Sequence, residues 1–321
     1  MRIKKTLIIT LALTLFLTFP LAVPVKAEGG KPIIVCTTNA VGSLVREYLG
    51  ERVVVVVLVQ PGLCPADFDM KPSDSYAVSN AKILFKQNIP GEFWLQGLLE
   101  AAGNPNLTQV TIPGEYNTPQ GAKNYIRWVG GNLSQILNVD LDAKTSAMLA
   151  DVDEVSNWMA SRGQALQVSS VKVICMKWLK TFVESAGFKV VAAYNPPETL
   201  SAGDITELVN TAQSDKVAMI VDNLQIDIEF GRGIASQVGA EHVVLTNFPG
   251  AIPGTGNLTQ MFRYNADQLF NATSTWRSTA TLRAEMESLK SQVTTYQMTT
   301  SLAVIAAIVE AVWLYVWRKK K

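Results

Sequence analysis

The chain has one histidine in 321 residues. That excludes any site built on two or more imidazoles, and with it His-rich zinc enzymes, HExxH proteases and carbonic-anhydrase-type chemistry. Three cysteines, Cys36, Cys64 and Cys175, are too few for a disulfide-stapled scaffold and leave an odd thiol. There is no CxxC, GxSxG, Walker loop or GxGxxG; Gly254-Thr255-Gly256 lacks the third glycine and follows Pro253. Hence no motif supports an enzyme, and a triad would have to be built around His242, with no nucleophile near it in sequence. Charge is sparse at 17%, with a net of +1, so the total implies neither a strongly basic nor a strongly acidic partner. A hydrophobic content of 48% excludes a disordered tail protein. At about 150 residues per domain the length suggests two domains.

What is present divides first at the ends. Met1 to Lys5 is basic, residues 7–23 are apolar apart from threonines and Pro20, and Val25-Lys26-Ala27 forms a small-residue stop. The pattern predicts a secretory signal peptide over 1–27, removed in the mature chain, with an uncleaved anchor as the competing reading. Residues 296–317 are apolar enough to cross a ~30 Å hydrocarbon layer, with Tyr296 at one edge and Trp313, Tyr315 and Trp317 at the other. The basic tail at 318–321 should stay cytoplasmic under the positive-inside rule, giving a single-pass protein on the extracytoplasmic face. Glu310 inside the span costs on the order of 2.5–3.5 kcal/mol if ionised. It is read either as protonated or as a polar contact to another membrane protein. Removing the eight basic residues Arg2, Lys4, Lys5, Lys26 and Arg318 to Lys321 takes the net charge from +1 to −7. Such an acidic body does not suit nucleic acid, whose binding relies on Lys and Arg. Four N-x-S/T triplets, at Asn106, Asn132, Asn257 and Asn271, make the exported chain a glycosylation candidate.

Between the ends, strand and helix patterns alternate, which indicates an α/β fold. Strands are expected at 32–36, 52–59, 82–85 and 109–112, with helices at 40–49, 73–80 (Ser73 as N-cap), 93–102 and 119–137. The five consecutive valines in 52–59 read as a strand buried on both faces of a parallel sheet. A long helix over 141–166 then joins two lobes. Strands at 171–175, 189–193, 217–221 and 242–245 alternate with helices at 178–186, 205–213 and 229–238. The expected organisation is therefore a first lobe at 28–140, a linking helix at 141–166, a second lobe at 167–270, a helical stalk at 271–295 and a transmembrane helix at 296–317. Leu282, Met286, Leu289, Val293 and Tyr296 form a heptad-like stripe along the stalk, which serves as a spacer or pairs two copies into a dimer.

The run Leu58-Val59-Gln60-Pro61-Gly62-Leu63-Cys64-Pro65-Ala66-Asp67-Phe68-Asp69-Met70-Lys71-Pro72-Ser73-Asp74 resembles the signature of ZnuA/TroA-type solute-binding proteins, the metal receptors of ABC importers. Residues 80–85, Phe93-Trp94-Leu95 and residues 98–103 continue the likeness, and the element order extends it over most of 32–270. The resemblance implies two βα lobes with mainly parallel sheets, joined by one long helix, with a metal ion or metal complex held between them. It implies capture outside the membrane and delivery to a permease, with no chemical conversion.

The family's metal ligands do not carry over. The first histidine falls on Ala66, the second on Gly114 or Glu115, the third ligand on Met176 and the fourth near Asn247. Sulfur stands nearby: Cys64 and Met70 flank Ala66, and Cys175 precedes Met176. Thiolates and thioethers select soft ions such as Cu(I), while zinc accepts thiolate and Asp67 or Asp69 adds oxygen for a mixed site. The candidate ligands are Cys64, Asp67, Cys175, Met176 and Asn247, for a transition-metal ion left open among Cu, Zn and Mn. Two ordinary readings compete, an inter-lobe Cys64–Cys175 disulfide and plain packing. Cys36 is expected as a buried small hydrophobe and His242 as structural. The alternative function on the same scaffold is a surface adhesion or structural protein with a vacated metal site.

Overall fold

The computed structural model describes residues 30–87, 89 and 91–319, so the expected signal peptide at 1–27 and the last two residues of the tail lie outside the described residues. The chain divides into two units, residues 1–32 and 33–321, and the second holds both sheets. Its first sheet is formed by β1 (Ile33–Cys36), β2 (Val54–Val57), β3 (Ala81–Lys86) and β4 (Thr108–Thr111), in the order β2-β1-β3-β4. The second is formed by β5 (Lys172–Met176), β6 (Lys189–Tyr194), β7 (Met219–Asn223) and β8 (Glu241–Leu245), in the order β6-β5-β7-β8. Every pairing is parallel.

The two central strands of each sheet are buried on both faces, as their unbroken apolar runs require. Ile34, Val35, Ile83, Leu84, Val173, Ile174, Ile220 and Val221 are all fully enclosed. The valine run behaves otherwise. β2 is an edge strand with one neighbour, and Val54 is 43% exposed, so hydrophobic continuity there does not mean a central position. Its inner end still packs tightly: a Cβ on Gly42 would lie 2.4 Å from the Val57 side chain.

Helices cover the first sheet: α1 (Asn39–Leu49) and α4 (Pro119–Leu137) on one face, α2 (Pro72–Ser79) and α3 (Leu95–Ala102) on the other. α4 begins where the Thr118 hydroxyl accepts from Gly121 N–H at 3.0 Å, and it buries Ala122, Tyr125, Ile126, Val129 and Leu133 at helical spacing. α2 starts one residue earlier than expected. Pro72 takes the first helical position, Asp74 Oδ2 accepts from Lys71 N–H at 2.8 Å, and Ser73 is not the cap. In the second lobe α6 (Lys180–Ser185), α7 (Ala202–Asp215) and α8 (Glu229–Val238) surround the sheet. Ser201 and Asp204 form a reciprocal capping box that opens α7 three residues before the apolar periodicity begins.

Two helices bridge the lobes. α5 (Asp142–Ala165) is ~36 Å long at ~1.5 Å per residue and buries Met148, Val152, Val155, Met159 and Gly163 along one stripe. α9 (Leu258–Lys319) packs its first turns on β8 and α5 through Met261, Phe262, Ala266, Leu269 and Phe270. Arg263 lies 4.5 Å over the Trp158 ring of α5, and Arg277 Nη1 donates to the Leu166 carbonyl at the end of that helix at 2.6 Å. α9 starts at Asn257, whose Oδ1 accepts from Gln260 N–H and Thr259 Oγ1–H, so this glycosylation triplet serves as a helix cap. Asn106, by contrast, is exposed in the turn before β4. The same helix continues without interruption to Lys319, and its segment Ser288–Lys319 is long and apolar enough to cross a membrane. The heptad stripe from Leu282 to Tyr296 is exposed along its length.

His242 is structural, in a buried polar group of the second lobe. Its Nε2 is 2.6 Å from Asp222 Oδ2, and Tyr194 O–H donates to the other carboxylate oxygen of the wholly enclosed Asp222. Burial and the Asp222 charge push the Tyr194 phenol well up. Gly231 of α8 is obligatory against this carboxylate, because a Cβ there would lie 2.2 Å from Oδ2. His242→Ala removes one partner from a buried acid and is expected to cost about 3 kcal/mol. Urea unfolding, followed in the full chain, should show the midpoint falling with the slope unchanged.

Gly250 is the second glycine fixed by its surroundings. Its φ is +82°, and a Cβ would approach Asn39 Nδ2 to 2.9 Å. Since Asn39 Nδ2 donates across the lobes to the Pro249 carbonyl at 2.6 Å, Gly250→Ala strains the backbone and loosens that tie together. A loss of roughly 1–3 kcal/mol in thermal or denaturant unfolding is expected.

Candidate functional site

Parallel sheets bind ligands outside the carboxyl ends of their strands, where the strand order reverses. Here there are two such points, between β1 and β3 and between β5 and β7, and the loops that follow these strands meet. Between them lies a cavity of about 400 Å³. Pro65, Glu115, Tyr116 and Tyr125 wall it from the first lobe; Lys177, Trp178, Asn223, Gln225, Asn247 and Phe248 do so from the second. A larger hollow of about 670 Å³ follows α7, but that single helix lines it and no second wall faces it.

Hydrogen bonds across the cleft fix its walls. Tyr116 O–H donates to the Asn247 carbonyl at 2.7 Å, and its ring stacks on Phe248 at 6.3 Å. Gln225 Nε2 donates to the Pro61 carbonyl at 2.8 Å, while its Oε1 accepts from Asn247 N–H at 3.1 Å. Asn117 Nδ2 donates to the Trp178 carbonyl at 2.8 Å and its Oδ1 accepts from Thr181 O–H at 3.1 Å. Tyr125 O–H donates to the Gly114 carbonyl at 2.9 Å. Burial pushes both phenols up, most strongly at Tyr116, so they remain neutral donors.

Of the five expected ligands, Asn247 lines the cavity. Its backbone is held on both sides by Gln225 and Tyr116, and its carboxamide has no partner among the described residues. Cys64 is buried just before the turn Pro65–Asp67, and Asp67 on that turn is exposed; neither lines the cavity. Cys175 and Met176 are wholly enclosed in β5 and also lie outside the lining, with Met176 Sδ accepting from Trp178 N–H at 3.2 Å. Among the described residues no three His, Cys, Asp or Glu side chains gather to hold an ion. The disulfide alternative is corrected, since Cys36, Cys64 and Cys175 are all free and buried.

The polar lining that the motif reading passed over comes from Tyr116, Tyr125, Asn223 and Gln225. The signal for two of them was Asp222-Asn223-Leu224-Gln225, polar residues at the end of an otherwise apolar strand. The positions where the resemblance puts metal ligands do border this space: Glu115, Gly114 and Asn247 line it, and Ala66 and Met176 are each one residue from lining residues.

Burial pushes the Cys36 and Cys175 thiols up to about 12, well above the ordinary 9.0. Thiols held neutral in this way are inert as nucleophiles at neutral pH. The unfolded chain ionises them from about pH 9 while the folded chain keeps its protons, so their contribution to stability is complete below pH 9 and lost between pH 9 and about 12. Each should contribute a slope of about −1.4 kcal/mol per pH unit in that window. Stability curves of Cys36→Ala and Cys175→Ala, measured from pH 8 to 11, should be flatter than that of the parent.

A family model described as zinc-uptake complex component A, periplasmic, matches residues 34–272. The manganese-binding lipoprotein MntA of Halalkalibacterium halodurans is 23% identical over 273 residues, covering 77% of this chain and 91% of that protein. A crystal structure of ZnuA superposes with a TM-score of 0.63 at 19% identity, covering 75% of this chain and 99% of that one. The Mn-bound periplasmic metal-binding protein from candidatus Liberibacter asiaticus gives 0.60 at 14% identity, covering 76% and 100%.

Proposed function

Because the chain belongs to the zinc-uptake complex component A family, whose members are transport receptors and not enzymes, we propose that it is a membrane-tethered extracytoplasmic receptor that carries a metal cargo in its interlobe cavity to an ABC permease. The observation that carries this reading is the cavity itself, walled by both lobes at the carboxyl ends of two parallel sheets. MntA and the Liberibacter protein, similar over most of their length, are described as manganese-binding or Mn-bound, which supports metal as the cargo class.

The tether is supported by α9. Its apolar part carries Arg318 and Lys319 at one end, and the positive-inside rule favours that end in the cytoplasm with the lobes outside. Residues 271–295 give about 37 Å of helix between lobe and span, so the cavity stands off the bilayer but stays near any permease in it. Confinement of this kind raises the local receptor concentration without new contacts. The exposed stripe from Leu282 to Tyr296 is the surface by which two stalks would pair.

Cells lacking the chain should accumulate less manganese, zinc or copper from limiting medium. A form ending before Ser288, which is released from the membrane, should restore uptake poorly. Unchanged accumulation of all three metals would remove this reading. Met176→Leu conserves volume and should cost under about 1.5 kcal/mol while leaving the metal content of the purified chain unchanged, since the side chain lies outside the cavity.

A further inference from the structure

The cavity walls are poorly made for a bare ion. Hard divalent cations take six or more oxygens, with carboxylates among them, and zinc takes four nitrogen, sulfur or carboxylate donors. The lining offers one carboxylate, Glu115, against one ammonium, Lys177, so its formal charges cancel. Among the described residues no cluster of three His, Cys, Asp or Glu exists to supply the rest. A dehydrated +2 ion would find no set of carboxylates in this lining to offset its loss of hydration.

The groups that remain available are of another kind. Asn247 is 8% exposed and Asn223 1%, and both line the cavity. The Asn247 carboxamide and the Asn223 Nδ2 have no hydrogen-bond partner among the described residues, whereas Gln225, Tyr116 and Tyr125 are already engaged. Two buried amide donors and the Lys177 ammonium suit carboxylate oxygens, which accept charge-assisted hydrogen bonds. The aromatic faces of Trp178 and Phe248 suit carbon. A volume of about 400 Å³ falls within the ~300–1,000 Å³ typical of organic-ligand sites.

We propose that the cavity takes its metal as a preformed complex, in which a small organic chelator fills the inner coordination sphere and turns carboxylate oxygens toward Asn223, Asn247 and Lys177. This rests on the reading that the cargo is a metal. The chelator, not the protein, supplies the donors missing from positions 66, 114 and 176, and the protein recognises the outer edge of the complex.

The test is equilibrium dialysis of the full chain in detergent micelles, with elemental analysis of the retained metal. The probes are Mn(II) and Zn(II), each alone and each with citrate, nitrilotriacetate or histidine. At least one complex should bind more than tenfold tighter than its bare ion, with metal and chelator retained in equal amounts. Asn223→Leu should weaken that complex about tenfold or more. Asn247→Asp should act in opposite directions, weakening the anionic complex and strengthening bare Mn(II), a reversal that loss of folding cannot produce. Tight binding of bare ion, unaffected by chelator, overturns this proposal and leaves the metal-receptor reading standing. Retention of no metal in any form overturns both. As a second measurement, native mass spectrometry of the chain from its own membranes should show metal together with an organic mass, and metal alone counts against the proposal.

Discussion

The arrangement depends on the hydrogen bonds that run between the carboxyl ends of the two sheets. Asn39 to the Pro249 carbonyl, Gln225 to the Pro61 carbonyl, Tyr116 to the Asn247 carbonyl and Asn117 to the Trp178 carbonyl all join residues of different lobes. In each case a buried or half-buried side chain meets a backbone carbonyl of the other lobe. Losing one therefore leaves an acceptor to be solvated as well as a bond unmade. At about 1 kcal/mol net each, the four supply on the order of 4 kcal/mol toward holding the lobes together. α5 and the first turns of α9 make the same connection from behind, and one apolar core passes through both. The cavity is thus a preformed space between braced walls.

That bracing also decides which chemistry the site retains. The donors that cross the cleft, Tyr116, Gln225 and Asn117, are consumed in holding it shut, so they are unavailable as ligands. What is left is a neutral, amide-rich surface with aromatic faces and one charge of each sign at its edge. Sulfur plays no part in that surface. Cys36 and Cys175 are packed in strands with their thiols held protonated, and Met176 turns its sulfur to a backbone N–H. The scaffold is that of the zinc-uptake component A family, and what the cavity lining offers a ligand is hydrogen bonding and shape rather than a set of coordinating side chains.

Much of the scaffold is legible in the sequence because central strands and long helices carry strong local signals. Val171 to Cys175 and Val217 to Val221 are apolar runs of strand length, and residues 141–166 carry a stripe at helical spacing; all three elements form, the second strand two residues later than expected and the other two within one residue. β2 misleads because five valines look the same at an edge as at a centre, and only strand order tells them apart. The start of α9 is hidden because its cap, Asn257, has the pattern of a glycosylation triplet. Of the site, the region is legible through the Pro61–Asp74 run, but its lining is not. Cys64 and Asn247 are 183 positions apart in sequence, and whether either faces the cleft depends on strand register and on loop paths that no local pattern encodes. Cys175 and Met176 illustrate this well, for a ligand position in a resemblance is a statement about the backbone, and burial by neighbouring side chains decides the rest.

A braced receptor on a stalk poses its own kinetic constraint. If opening the cleft costs about 4 kcal/mol, the open form is populated near one part in a thousand, and the apparent on-rate of cargo that needs it falls by the same factor. The cargo that escapes this limit is one that reaches the cavity without separating the lobes. A rigid complex small enough for the cavity meets that condition, and its charged edge is drawn first by the exposed Lys177 before meeting the buried amides. Release then requires something to break the cross-lobe bonds, and a permease contacting both lobes at once can do so. On the proposed reading, in which α9 tethers the chain, the stalk would keep it where such a contact recurs, and slow opening in solution would be no obstacle to delivery.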